Sequence, residues 1–170
     1  MTNVHLRREL RAVLSVPHLP FWIIICNGLF DIAVLEWCKL FGSDDEEKQP
    51  VHWKNNTSDV SRFRSDLLSR LQISAEEWTT YWATIKRYRD QAIAHHDPKM
   101  KEIPNYPIFD LALQSAYFYY DFAVQELSKL GIEQHPRDLE RYGEAFAEQC
   151  KPIAAAAVQA TRIFAVHILE

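Results

Sequence analysis

Along most of this chain the apolar residues recur at three- and four-residue spacing, and no stretch sustains the two-residue alternation of a half-buried strand. Thr2 stands as the cap of a short, charge-rich first helix that ends near Pro17 and Pro20. Phe21 to Phe41 follows as a long helix whose apolar residues wrap most of its circumference, which predicts burial on several sides. Gly42 sits where a left-handed terminator belongs, and Asp31 within that helix needs a partner or a polar cavity. Residues 43–56 read as a loop, with the acidic run Asp44-Asp45-Glu46-Glu47 as solvated surface. Thr57 or Ser58 is the expected cap of a third helix through about Leu71, with Val60, Phe63, Leu67, Leu68 and Leu71 on one face.

Ser74 and Glu77 form a capping-box pattern that opens a fourth helix. It carries Trp78, Trp82, Ile85, Arg89, Ala92 and His96 along one stripe, and ends at Asp97-Pro98 because the residue before proline is pushed out of the helical region. After a loop with Pro104 and Pro107, an aromatic-rich fifth helix runs from about Ile108 to Leu130 and is closed by Gly131. Pro136 suits the first turn of a last helical region that Pro152 is expected to kink or divide, with a final apolar set from Val158 to Leu169. The expected fold is an all-α, single-domain bundle of about five to seven helices over residues 1–170.

Composition narrows the function classes. A 170-residue chain with 48% hydrophobic and 25% charged residues can bury a sizeable core and is not of disordered type. Four glycines are too few for the many tight turns of a sandwich or barrel. The net charge of −4 argues against general nonspecific binding of nucleic acid, so any polyanion site must be local. Cys26, Cys38 and Cys150 lack a CxxC pattern and read as small core hydrophobes in a reducing compartment. The amphipathic, charged N-terminus does not read as a signal peptide. Asn27 and Asp31 interrupt the most apolar run, against a membrane span. The expected address is the cytoplasm, with no membrane partner.

One segment carries chemistry: Arg87 to Asp97, RYRDQAIAHHD. A guanidinium and an imidazole together can cleave RNA without a metal. A base takes the 2′-hydroxyl proton, the oxygen attacks phosphorus, and an acid protonates the leaving 5′ oxygen. Histidine titrates near working pH, and the planar fork of arginine fits phosphate oxygens in pairs. From Thr84 to Lys101 the cations Lys86, Arg87, Arg89, Lys99 and Lys101 outnumber Asp90 and Asp97, for a net of +3. The same basic turn also complements a helix dipole. On an ideal helix Arg89 and His96, seven residues apart, are nearly aligned, whereas Arg89 and His95 are about 120° apart. Geometry within one helix therefore favours His96.

The segment R-D-Q-A-I-A-H, from Arg89 to His95, resembles the R-x(4–6)-H signature of the HEPN superfamily. An apolar long helix, a motif helix ending AHHD, a proline loop and an aromatic helix together resemble the AbiU-type abortive-infection HEPN proteins of bacteria. The resemblance is sharp over about ten residues and loose over most of the rest. It implies a HEPN-like helical bundle whose homodimer apposes two motif helices. It further implies a metal-independent endoribonuclease acting as a toxin or phage-defence effector, with RNA as substrate and a cognate antitoxin as a candidate partner. In that register Arg89 and His95 are the catalytic pair and Asp90 is the polar residue after the arginine. His96, Lys86, Arg87 and Lys99 support RNA. Family register thus prefers His95, where single-helix geometry prefers His96. Some two-gene HEPN toxins carry a tyrosine two residues past the histidine, modified by a partner nucleotidyltransferase; Asp97 stands there in this chain, which speaks against that silencing route. The alternative reading is a noncatalytic helical module that binds RNA or protein.

Other residues have weaker signals. His52, Trp53 and Lys54 can form a base-stacking loop, since tryptophan stacks bases of single strands, or can anchor the loop on the core. Asp31 and Glu36 can orient a histidine. Tyr117, Tyr120 and Phe122 read as core or dimer interface. No metal-ligand spacing, phosphate-binding glycine loop or serine nucleophile motif is present, so neither a metal nor a cofactor is expected.

Overall fold

The computed structural model describes residues 2–14, 20–42, 50–94, 105–133 and 136–164. These contain six α-helices and no strand: α1 (Thr2–Val13), α2 (Pro20–Phe41), α3 (Val60–Leu71), α4 (Ala75–Tyr88), α5 (Asp110–Lys129) and α6 (Leu139–Thr161). The all-α architecture is as the periodicity predicts. Two compact units are present, Met1–Ala33 with Asp138–Glu170, and Val34–Arg137; α2 contributes its two ends to different units.

In the first unit α1 lies along α6, and Leu10, Trp22, Cys26, Ala154 and Val158 form the buried core. Two polar links tie the start of α2 to its neighbours. The Arg7 Nε donates to the Cys26 carbonyl at 3.1 Å while its guanidinium lies 4.7 Å over the Phe30 ring. The Trp22 indole donates to Thr161 Oγ1 at 2.8 Å. Thr2 is the first residue of α1 and not its cap. Pro152 does not divide α6, which runs unbroken from Leu139 to Thr161. Pro136 lies ahead of that helix, and Asp138 is the cap, accepting from the Arg141 N–H at 2.8 Å.

In the second unit an aromatic core joins the end of α2 to α3, α4 and α5. Trp37 is fully buried, stacks on Phe41 and meets Trp78 and Tyr81 edge-on. Phe63 of α3 is packed edge-on by Phe118, Tyr119 and Phe122 of α5. The α5 start has no side-chain cap of its own. The Tyr81 hydroxyl of α4 fills that role, accepting from the Ala112 N–H and donating to the Ile108 carbonyl, both at 2.9 Å. Burial raises the Tyr81 phenol, so it remains a donor at neutral pH.

The ends of the helices separate local from tertiary causes. Ser74 and Glu77 form the capping box in full, at 2.7 and 3.1 Å. At α3 the cap is Asp59, which accepts from the Arg62 N–H at 2.9 Å, and not Thr57 or Ser58. Both α3 and α5 end in Schellman turns. Gly131 takes the left-handed position after α5 (φ 73°), as expected, but Gln72 occupies it after α3 (φ 56°). Gly42 does not adopt that conformation; a methyl there would approach Cys38 Cα to 2.8 Å, so close contact accounts for the glycine.

One departure concerns α2. Its length and apolarity pass the test for a membrane-crossing helix, with 39% of the apolar window buried within the protein. Phe21, Ile24, Ile25, Ile32 and Leu35 lie exposed on one side, so the expected burial on several sides is incomplete. Asp31 is half-buried and engaged by a partner.

Candidate functional site

The motif arginine stands at a change of helical type. α4 ends at Tyr88, and Arg89–Ala94, the sequence RDQAIA, winds as a π-helical turn. Such turns are rare and recur at functional sites, because the wider i→i+5 turn re-aims side chains relative to the α-helix before it. The expectation of a continuous α-helix to Asp97 is corrected here. The alignment of Arg89 with His96 assumed 100° per residue and loses its basis. His95, His96, Asp97 and Lys99 lie outside the described residues.

Arg89 is held from two sides. Its Nε donates to Asp90 Oδ1 at 2.8 Å, and a terminal nitrogen lies 2.6 Å from the same oxygen. The Cys38 thiol of α2 supplies the second contact. Burial pushes that thiol up to about 11, and the adjacent Arg89 guanidinium, hydrogen-bonded to the sulfur, offsets this only in part. Cys38 thus stays a neutral thiol beside the guanidinium. The Arg89 side chain keeps 25% of its surface exposed and that of Asp90 41%, so the pair faces solvent. A guanidinium has five N–H donors in a fixed fork. Asp90 and Cys38 engage part of it and fix its orientation.

The two cations ahead of Arg89 divide in role. Lys86 Nζ lies 4.7 Å above the Trp82 ring, a cation–π contact on the same stripe of α4. Arg87 is exposed. Trp82 in turn donates its indole N–H to the Phe41 carbonyl at 2.6 Å, which ties α4 to the end of α2. Trp82, Lys86 and Arg89 therefore form a line at i, i+4, i+7 spacing.

Next to this line is a pocket of about 170 Å³. Phe41, Trp53 and Trp78, all buried, and the part-exposed Trp82 border it, and His52, Lys54, Arg64 and Thr79 supply its polar groups. The loop that contributes His52, Trp53 and Lys54 is anchored on the core: Trp53 is buried and stacks on Phe63 at 4.7 Å, and His52 is 1% exposed. His52 also caps the following 3₁₀ turn, accepting from the Lys54 N–H. The packing that buries Trp53 also fixes the loop that brings Lys54 to the pocket, which Arg64 of α3 lines as well.

Other sequence candidates fall elsewhere. Glu36 bridges Lys39 at 2.5 Å on the exposed side of α2. Tyr117 is buried, Phe122 packs on Phe63, and Tyr120 donates to the Pro136 carbonyl at 2.6 Å, all structural contacts. The three cysteines are free and buried. Among the described residues no three His, Cys, Asp or Glu side chains converge as metal ligands. Sequence reasoning missed Cys38 as a support of Arg89, and missed Arg64 and Thr79 in the pocket. The Trp82–Lys86–Arg89 spacing was a visible signal; Arg64, on another helix, offered none.

Compared with known proteins, the chain matches no protein-family model, no curated protein and no solved structure.

Proposed function

We propose that this chain is a metal-independent endoribonuclease of the HEPN type, acting as a homodimer and serving as a toxin or phage-defence effector. The observation that carries the reading is Arg89: a partly exposed guanidinium, held by Asp90 and beside Cys38, on a π-helical turn that ends at Ala94, the residue before His95 in the sequence. A preset cation of this kind suits the charge that develops on phosphorus when the 2′-oxygen attacks. His95 acts as base or acid on the 2′-hydroxyl or the leaving 5′-oxygen, and the second copy supplies the complementary proton transfer. Lys86, Arg87, His96 and Lys99 add positive or hydrogen-bonding groups along the RNA path. A cognate antitoxin fits such a cytoplasmic effector as a partner.

The Arg89–Asp90 pair is also the observation that favours the second reading, a noncatalytic module binding RNA or protein. Asp90 occupies donors that would otherwise grasp a phosphate, and a permanently satisfied arginine serves structure alone. Induction of the wild-type chain in bacterial cells separates the two. The ribonuclease reading predicts growth arrest, relieved by Arg89→Ala and by His95→Ala, with RNA fragments that end in 2′,3′-cyclic phosphate. Harmless expression, or arrest that both variants preserve, contradicts it.

A further inference from the structure

The aromatic pocket beside Lys54 and Arg64 is not needed for the Arg89 chemistry, and its composition asks for a ligand of its own. Trp82 is its part-exposed aromatic residue, two cations stand among its lining residues, and none of the described residues that line it is a carboxylate. In a chain of net charge −4 that local balance is unusual. A planar, apolar ring attached to an anion satisfies both halves at once. The volume of about 170 Å³ adds a size limit. Pockets that enclose whole drug-sized ligands span roughly 300–1,000 Å³, so this one admits a single ring system and leaves a sugar and phosphate at its mouth.

We propose that this pocket binds a nucleoside phosphate unit, with the base against the part-exposed Trp82 and the phosphate on Lys54 and Arg64. Single-strand sites combine aromatic rings for bases with cations that track the backbone, and this pocket has both within one unit of the protein. Its position strengthens the case. Trp82 precedes Arg89 by seven residues on the same stripe of α4, about 10 Å along the helix axis. A short single strand with one base in the pocket therefore runs toward Arg89, with Lys86 between them. Held there, the strand is fixed in register relative to the motif, so the pocket selects which phosphate is presented. This last step rests on the ribonuclease reading; the binding of a nucleotide unit does not.

Two sources of the same chemistry exist, a free nucleotide and a nucleotide within a strand. The experiment titrates the purified wild-type chain, by tryptophan fluorescence and calorimetry, with AMP, UMP, ribose 5-phosphate and a 2′-O-methyl hexanucleotide that cannot be cleaved. Three variants accompany it: Lys54→Glu with Arg64→Glu, Trp82→Phe, and Arg89→Ala. Lys54 is partly and Arg64 largely exposed, so the charge reversal leaves the core intact. The expected result is binding of nucleotides but not of ribose 5-phosphate, and weakening of roughly tenfold or more in the charge-reversed protein, with a salt slope shallower by about 0.7 for each phosphate no longer neutralised. Trp82→Phe keeps a ring and weakens binding less than the charge reversal does. A hexanucleotide that binds much tighter than AMP assigns the site to a strand, and equal affinities assign it to a free nucleotide. Unchanged affinity in the charge-reversed protein, or equal binding of AMP and ribose 5-phosphate, overturns the proposal. The two failures are distinct: if Arg89→Ala binds the hexanucleotide normally while the wild type cleaves no RNA, the ribonuclease reading fails and the pocket stands.

Discussion

Replacing Ser115 by alanine tests how the scaffold under Arg89 is held. The Trp37 side chain is fully buried, and its indole N–H donates to Ser115 Oγ at 2.9 Å; that hydroxyl donates onward to the Ala112 carbonyl at 2.8 Å. Ser115→Ala leaves a buried donor with no acceptor, which costs about 1–3 kcal/mol. The gain in helix propensity from serine to alanine offsets roughly 0.5 kcal/mol of this. The expected net loss is about 1–2 kcal/mol. Trp37→Phe removes the donor itself, and the Ser115 hydroxyl keeps its bond to Ala112. In a Trp37→Phe background Ser115→Ala should therefore cost almost nothing and can even stabilise by the propensity term. Urea unfolding of the four proteins, followed by far-ultraviolet circular dichroism, gives the coupling energy. A value of about 1–2 kcal/mol is predicted. Additivity within about 0.5 kcal/mol would refute the reasoning, because independent sites behave that way. The result bears on function because Trp37 precedes Cys38, which lies beside Arg89.

Three further outcomes are expected. Gln72 holds a left-handed conformation at the end of α3, so Gln72→Gly should raise the urea midpoint by an amount equivalent to about 0.5–1 kcal/mol, and a fall would contradict the Schellman assignment. His5 in the first unit is lowered from its ordinary value by burial, and secondarily by Arg8; the unfolded chain therefore takes the proton first as pH falls. Its contribution is full above the unfolded value of about 6.5 and is lost as pH falls through the lower folded value, so His5→Gln should flatten the urea-midpoint profile between about pH 7.5 and about pH 5. Asp90→Asn keeps the shape beside Arg89 and removes the charge, so RNA affinity should rise at low salt while the cleavage rate falls if Asp90 orients the guanidinium. A parallel rise in both would assign Asp90 to repulsion alone.

Helix type was legible wherever the cause was local. The Ser74–Glu77 box needs only two side chains three residues apart, and Gly131 needs only its own lack of Cβ. The α3 cap was less so, because Thr57, Ser58 and Asp59 all carry a suitable oxygen. The residue that caps is Asp59, through the Arg62 N–H, while Trp53 of the same loop stacks on Phe63. The π-helical turn was hidden for a different reason. Periodicity presumes one fixed angle per residue, and that angle changes within the motif itself. The apolar circumference of α2 suggested burial all round, but hydropathy records transfer preference and not what is present to cover each face. Of the site, Arg89 and Asp90 were found from sequence, and His52, Trp53 and Lys54 were noted as a cluster. Trp82 shares a visible helical stripe with Arg89, but Cys38 beside Arg89 and Arg64 at the pocket come from other helices, which no linear spacing reveals.

Whether Arg89 and His95 cleave RNA without a metal is decided by rates. The measurement is the cleavage rate of varied RNAs in EDTA by the wild-type, Arg89→Ala and His95→Ala proteins at equal concentration. Loss of a preset charge-stabilising donor costs on the order of 10²–10³ in rate, and loss of a general acid or base on the order of 10²–10⁴. The expected result is cleavage by the wild type and a fall of at least about a hundredfold in each variant, with both variants folded. No cleavage by the wild type, or equal rates in all three proteins, would contradict a catalytic Arg89–His95 pair.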